Sequence, residues 1–369
     1  MNDLRVLELT KDAIDMHCHG VGRFDFTELS NIDLFEIEAI LAARKHKAVL
    51  TLYLPESEYA HFFQILDQFH TGRQSNLFPH IMGFGLEGPL LASHGGTPHK
   101  GVWNPSKRQW KQLAGCGKQG LIYMIFSPDA ELNVDENSNI DNPAPSVTWI
   151  AETLLDSGVL PAAGHFTKAN PVASAKALQS IYDVVAAWGQ GATITDHIYN
   201  DMPHNFKHAW RTRKERERRD IELQRLDLNS WSLDNLDEQL GLVPATMIKN
   251  ARKGLVKVAQ NFDGEHVDLA VIKKTVELLG AENMLMMTDS IESRKLAGRE
   301  LRKLDDSTLL YQDEGIVAAG SQGVDRQIEN MLKIGLTDQQ INTITKTTPE
   351  QVLTKREEYV REKNQTMCV

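Results

Sequence analysis

The chain has 369 residues, a formal charge of −10 and a pI near 5.7, an acidic balance that disfavours nonspecific attachment to nucleic acid or anionic membranes, both of which need a positive footprint. Hydrophobic residues at 41% and charged residues at 24% are those of an ordinary globular protein and exclude a fibrous or disordered chain. The three cysteines, Cys18, Cys116 and Cys368, are odd in number and far apart, so free thiols in a reducing compartment are expected. The opening MNDLRVLELTKD carries no basic-then-apolar leader, and no apolar run approaches the ~20 residues of a membrane span, so a cytoplasmic address and a small-molecule substrate are expected.

Short runs of Val, Ile, Leu, Met and Ala alternate with longer amphipathic stretches, the pattern of repeated βα units on a parallel sheet. In chain order the pattern predicts strands at 13–17, 48–54, 81–86, 121–126, 159–164, 192–197, 256–262 and 284–288. Helices are predicted at 33–46, 58–69, 146–157, 173–188, 267–279 and 324–334. Eight such units predict an α/β fold, a (β/α)8 TIM-like barrel that takes residues 1–369 as one domain. The competing architecture is an open doubly wound sheet, but no Gly-rich turn follows the first strand to cradle a dinucleotide. Two stretches exceed what a barrel connection needs. Residues 129–146 are polar and turn-rich and predict a long loop over the site face. Residues 204–239 contain RTRKERERRD, whose mixed charges predict a solvated helical insertion, with a lid or an oligomer contact as the sharper reading.

The tips of these strands carry the chemistry. The first strand runs IDMHCHG, and residues two apart in an extended strand share a face, so His17 and His19 can grip one ion. A lone His-x-His is a weak signal. The third strand, however, ends at Glu87, the fifth at His165, the sixth at His197 and the eighth at Asp289. Each is titratable and sits at the C-terminal end of a strand, the face where barrel enzymes build their sites. An isolated His is more often structural and an isolated Asp more often a helix cap; the joint pattern outweighs those readings. Imidazole and carboxylate donors suit Zn²⁺ first, then Fe²⁺, Mn²⁺ or Co²⁺, as one or two ions, and the lack of a Cys cluster argues against a closed structural zinc site.

The ordered motifs IDMHCHG, GLEGP, AAGHFTKA, DHIYNDM and MMTDS resemble the amidohydrolase superfamily, and within it the N-acetylglucosamine-6-phosphate deacetylases. Weaker echoes are FSPD after the fourth strand, GEH ending at His266, and VAAGS before Gln322. The resemblance implies that Glu87, His165 and His197 hold the principal metal, and that His17 and His19 hold a second ion with Glu87 shared between them. It implies that Asp289, itself close to the metal, is the general base toward the attacking water and then the acid toward the leaving amine. His266 would meet the scissile carbonyl, and Asn200 would line the substrate pocket. The activity implied is hydrolysis of an N-acyl bond, with an N-acetyl amino sugar as the candidate substrate, by a homo-oligomer, as a dimer.

Three departures bear on the substrate. Trp103, in KGVWNP, stands where the family has a histidine, which removes a hydroxyl-binding donor from the substrate site. Asp201, in YNDM, brings negative charge near the expected phosphate contact, and repulsion at ~4 Å is worth roughly 1 kcal/mol in water and more when partly buried. With so few residues before His17, the small β-sandwich domain common in the superfamily is expected to be missing. Deamination or cyclic-amide opening by the same kind of site, and a catalytically silent metal-binding barrel, are the alternatives.

Overall fold

The computed structural model describes residues 2–130, 145–200, 202, 206 and 212–366. Eight parallel strands follow one another around the sheet in chain order: β1 (Ile14–Cys18), β2 (Lys47–Leu52), β3 (Ile81–Glu87), β4 (Leu121–Phe126), β5 (Leu160–Ala163), β6 (Thr193–His197), β7 (Val256–Asn261) and β8 (Met284–Met287). The ring closes where the backbone of β1 meets the chain leaving β8: the Asp289 N–H donates to His17 O at 2.9 Å and the His19 N–H to Ser290 O at 2.9 Å. Nearly every strand residue is buried, as expected where side chains face either the barrel interior or a covering helix. The arrangement is a (β/α)8 barrel, and the expected strands fall within a few residues of those observed.

The helices are α1 (Asn2–Thr10), α2 (Leu34–Arg44), α3 (Tyr59–Gln74), α4 (Lys107–Ala114), α5 (Val147–Asp156), α6 (Pro171–Trp188), α7 (Arg213–Gln224), α8 (Leu236–Leu240), α9 (Leu242–Arg252), α10 (Leu269–Leu279), α11 (Val324–Lys333), α12 (Asp338–Asn342) and α13 (Thr348–Thr366). Their starts are chemically marked. The carboxylates of Asp33 and Asp268 accept from the first free N–H groups of α2 and α10, Asn170 caps α6 with Pro171 in its first turn, and Ser106 forms a reciprocal capping box with Gln109 on α4. Apolar side chains form two large clusters, one drawn mainly from β1–β5 and the helices beside them, the other mainly from β7, β8 and theirs.

Two features depart from the sequence reading. Between β8 and α11 the chain forms two small antiparallel sheets, β9 (Lys295–Leu296) with β10 (Arg299–Glu300), and β11 (Arg302–Lys303), β12 (Leu309–Tyr311) and β13 (Val317–Gly320). Their strands are two to four residues long, too short for a period-two pattern to stand out. They are the only strands outside the barrel among the described residues, and they form no β-sandwich. The expected charged insertion contains α7, which buries no residue, followed by α8 and α9, which pack into the second cluster. Much of the expected loop at 129–146 lies outside the described residues, as do Cys368 and Asp201. No helix of the described residues is long and apolar enough to cross a membrane.

Candidate metal centre

All six residues expected to ligate an ion meet at the C-terminal mouth of the barrel. Glu87, the last residue of β3, is 3% exposed and joins the two sides of the mouth. Its Oε2 lies 3.0 Å from His19 Nε2 and 3.2 Å from His17 Nε2, while its Oε1 lies 3.1 Å from His165 Nε2. The two β1 imidazoles point at each other, Nε2 to Nε2, across 2.8 Å. Asp289 completes the ring, with Oδ1 3.3 Å from His19 Nε2 and Oδ2 3.6 Å from His197 Nε2. Donors held at 2.0–2.2 Å from a shared ion stand about 3 to 3.5 Å apart, so the observed spacings are those of a site sized for a small divalent cation.

Backbone geometry aims these groups. His165 and Asp289 adopt left-handed conformations, φ 51° and 49°, directly after β5 and β8, which swings each side chain over the strand ends. Such φ values are uncommon for residues with a Cβ and concentrate at functional sites. Nδ1 of His19 is tied to Thr51 O at 3.0 Å, and the ring of Tyr53 stacks on it at 4.2 Å. Nδ1 of His165 is tied to Ser93 O at 3.0 Å. Each ring is thereby oriented through one nitrogen and presents the other to the mouth, the usual way a metal-binding imidazole is set. Thr97 donates to Glu87 Oε1 at 2.6 Å, fixing the carboxylate that the two sides share.

Charge is unevenly distributed here. Burial and the neighbouring His19 both hold the His17 imidazole below its ordinary pKa. Burial also opposes a charged His19, yet the carboxylates of Glu87 and Asp289 outweigh it and push His19 up to about 10. Both carboxyls in turn lie well below the usual carboxylate range: burial opposes this, but the surrounding histidines prevail. The pocket therefore favours a cation between Glu87 and Asp289, whether a proton on His19 or a metal ion in its place.

His266 stands on the loop after β7. Asp263 accepts from the backbone N–H groups of Glu265 and His266 at 2.8 and 2.9 Å and pairs with His266 Nδ1 at 2.5 Å, which leaves His266 Nε2 3.3 Å from Asp289 Oδ2. Asn200 Nδ2 lies 2.5 Å from His197 Nε2. Trp103 is bound to the protein's own backbone. Its only donor, Nε1, is given to Leu54 O at 2.8 Å and its ring meets Tyr59 edge-on, so the indole N–H is already engaged by the protein. The insertion helix α7 reaches the same side of the site, because Arg216 pairs at 3.1 Å with Glu265, the residue before His266. His94 and His99, whose rings lie 4.3 Å apart, line a cavity of about 300 Å³ with Lys100, Arg299 and Gln312.

Sequence reasoning passed over several participants. Asp15 on β1 accepts from the Thr288 N–H at 3.0 Å and from its hydroxyl at 2.6 Å, which pins the end of β8 beside His17; burial pushes the Asp15 carboxyl up to about 7. Asp196 was also missed, because in a regular strand it faces away from His197. The register between β6 and β7 shifts between Ile194 and His197, and both side chains turn to the mouth. Asp196 Oδ2 lies 3.0 Å from His197 Nδ1 and 3.4 Å from His165 Nε2. The donors thus form two groups, His17, His19 and Asp289 on one side and His165, Asp196 and His197 on the other, each compact enough to hold an ion.

No family model and no curated protein matches the sequence. Solved structures do. The N-acetylglucosamine-6-phosphate deacetylase of Pasteurella multocida superposes with a TM-score of 0.65 at 14% identity, over 94% of this chain and 77% of that one. A variant of the Mycobacterium smegmatis enzyme in complex with N-acetyl-D-glucosamine-6-phosphate gives 0.65 at 16% identity, over 94% and 77%. The Thermotoga maritima enzyme gives 0.62 at 17%, over 94% and 78%. The chain therefore has the barrel fold of these deacetylases.

Proposed function

We propose that this protein is a metal-dependent amidohydrolase that cleaves an N-acyl bond in a small molecule, with N-acetylated amino sugars as the first substrate class to test. One observation carries the reading: six imidazole and carboxylate side chains at the ends of β1, β3, β5, β6 and β8 converge in a buried mouth, each within 4 Å of another. Likeness in fold to deacetylases supports the choice of reaction, and the residues fit the ion those motifs imply.

Glu87, His165 and His197 would hold the principal ion, and His17 and His19 a second one with Glu87 shared. A divalent ion supplies a water of lowered pKa and polarises the scissile carbonyl. The rest is done by the chain. Asp289 is kept ionised by its histidine neighbours, the state a base needs to take a proton at Oδ2 and later return it to the leaving nitrogen. His266 is oriented by Asp263 at Nδ1 and presents Nε2 beside that carboxylate, where with a proton on both ring nitrogens it would donate to the carbonyl oxygen as charge develops.

Metal analysis of the purified protein should give one or two equivalents of a transition ion, and an assay on N-acetylglucosamine, its 6-phosphate and a panel of simple amides should release acetate. Glu87→Gln should lose the ion and at least about 10³-fold in rate. A protein that takes up no ion after supplementation would sink the proposal; release of ammonia instead of acetate would move it to deamination or cyclic-amide opening.

A further inference from the structure

We infer that Asp196 is itself a ligand to the ion held by His165 and His197, so that this half of the centre is built from two imidazoles and a carboxylate before Glu87 is counted. The inference rests on the metal-dependent reading above. The Asp196 side chain is fully buried, and among the described residues neither of its oxygens makes a hydrogen bond. His197 Nδ1, 3.0 Å away, is likewise buried without a hydrogen bond, because the carboxylate lies off the direction of a ring N–H. A carboxylate withdrawn from water and given no donor is costly, and proteins tolerate it where a cation compensates. No lysine or arginine pairs with Asp196 among the described residues; the groups around it are His17 at 3.8 Å, His165 at 3.4 Å and His197 at 3.0 Å. Every neighbour is a potential ligand, and one ion within reach of His165, Asp196 and His197 would satisfy all three.

The chain makes room for this carboxylate. Gly164, the residue before His165, packs directly on Asp196, and a Cβ at that position would overlap the carboxylate. The turn that delivers His165 is thus cut to fit a second acidic group beside it. With Glu87 reaching His165 from the other side, the ion would sit among two imidazoles and two carboxylates, a harder donor set than two imidazoles and one carboxylate.

The test compares metal binding by the full-length wild type, Asp196→Asn and Gly164→Ala, loaded with Zn²⁺, Mn²⁺ or Co²⁺. Metal per chain, affinity by chelator competition and the visible bands of the Co²⁺ form are read, with circular dichroism to confirm the fold. Asp196→Asn is expected to lose one equivalent or to bind it more than 100-fold more weakly with altered Co²⁺ bands. Gly164→Ala, which keeps the carboxylate but displaces it, should change the bands in the same sense and serves alone if Asp196→Asn does not fold. Unchanged metal count and Co²⁺ bands in the folded variants would overturn the inference and leave Asp196 as a residue that only orients His197. A wild type that binds no ion sinks the metal reading as a whole, whereas a wild type that binds ions indifferently to Asp196 sinks this inference alone.

Discussion

The two ends of the barrel handle buried charge in opposite ways. At the N-terminal end, Arg356 of α13 is 4% exposed, and its guanidinium donates to Gly158 O at 2.7 Å, to Leu121 O at 2.8 Å and to Gly117 O. One cation there is met by three backbone carbonyls, and α13 is stitched across the base. At the C-terminal end, three carboxylates and five histidines crowd together, and among the described residues Asp196 has no hydrogen-bond donor. A group whose bonding is complete serves stability; groups whose bonding is deliberately incomplete hold a place for something else.

The comparison is broken most directly at the mouth. Asp289→Asn should lower kcat/KM by about 10³-fold, the scale of a lost general base, while leaving the thermal midpoint of the metal-free protein unchanged or slightly higher. A midpoint lowered by many degrees would place Asp289 among the structural residues. Arg356→Met reverses the pattern: the three hydrogen bonds of the buried guanidinium are lost, which should cost about 3 kcal/mol in denaturant unfolding, with turnover per folded molecule retained. Loss of turnover without loss of stability would show that the base of the barrel communicates with the site.

The smallest effect concerns His46, buried just before β2, where burial and then the charge of Arg44 bring its pKa from 6.5 to about 4. Between those two values the unfolded chain takes up a proton that the folded one refuses, so stability from this group is complete above pH 6.5 and is lost as the pH falls toward 4. At 1.36 kcal/mol per pKa unit the loss reaches at most about 3 kcal/mol. His46→Gln should flatten the stability curve over that window relative to wild type, as read from denaturant midpoints at pH 7, 5.5 and 4. A variant whose acid sensitivity equals that of wild type would exclude His46 as a contributor.

Much of the molecule was legible before any coordinates. The eight strands appear as short apolar runs because both faces of each are buried, and Glu87, His165, His197 and Asp289 stand out as polar residues at the point where each run stops. The helix starts are written locally in Asp33, Ser106, Asn170 and Asp268, whose side chains need only their own backbone neighbours. The small antiparallel strands at residues 295–320 were not legible, since pieces of two to four residues are held by their partners rather than by a period of their own.

What the sequence by itself determined is the order of strands and helices, the caps, and the roster of ligand-type residues at the strand tips, because each depends on periodicity or on contacts a few residues away. Tertiary structure alone decided which of those residues meet. Asp196 joins His197 only because the β6–β7 register slips, Tyr53 comes to lie on His19 and Thr97 on Glu87 only once the ring closes, and the Trp103 indole N–H meets a carbonyl 49 positions away. These are contacts between distant segments, set by barrel closure and packing, and no local pattern encodes the distance between them.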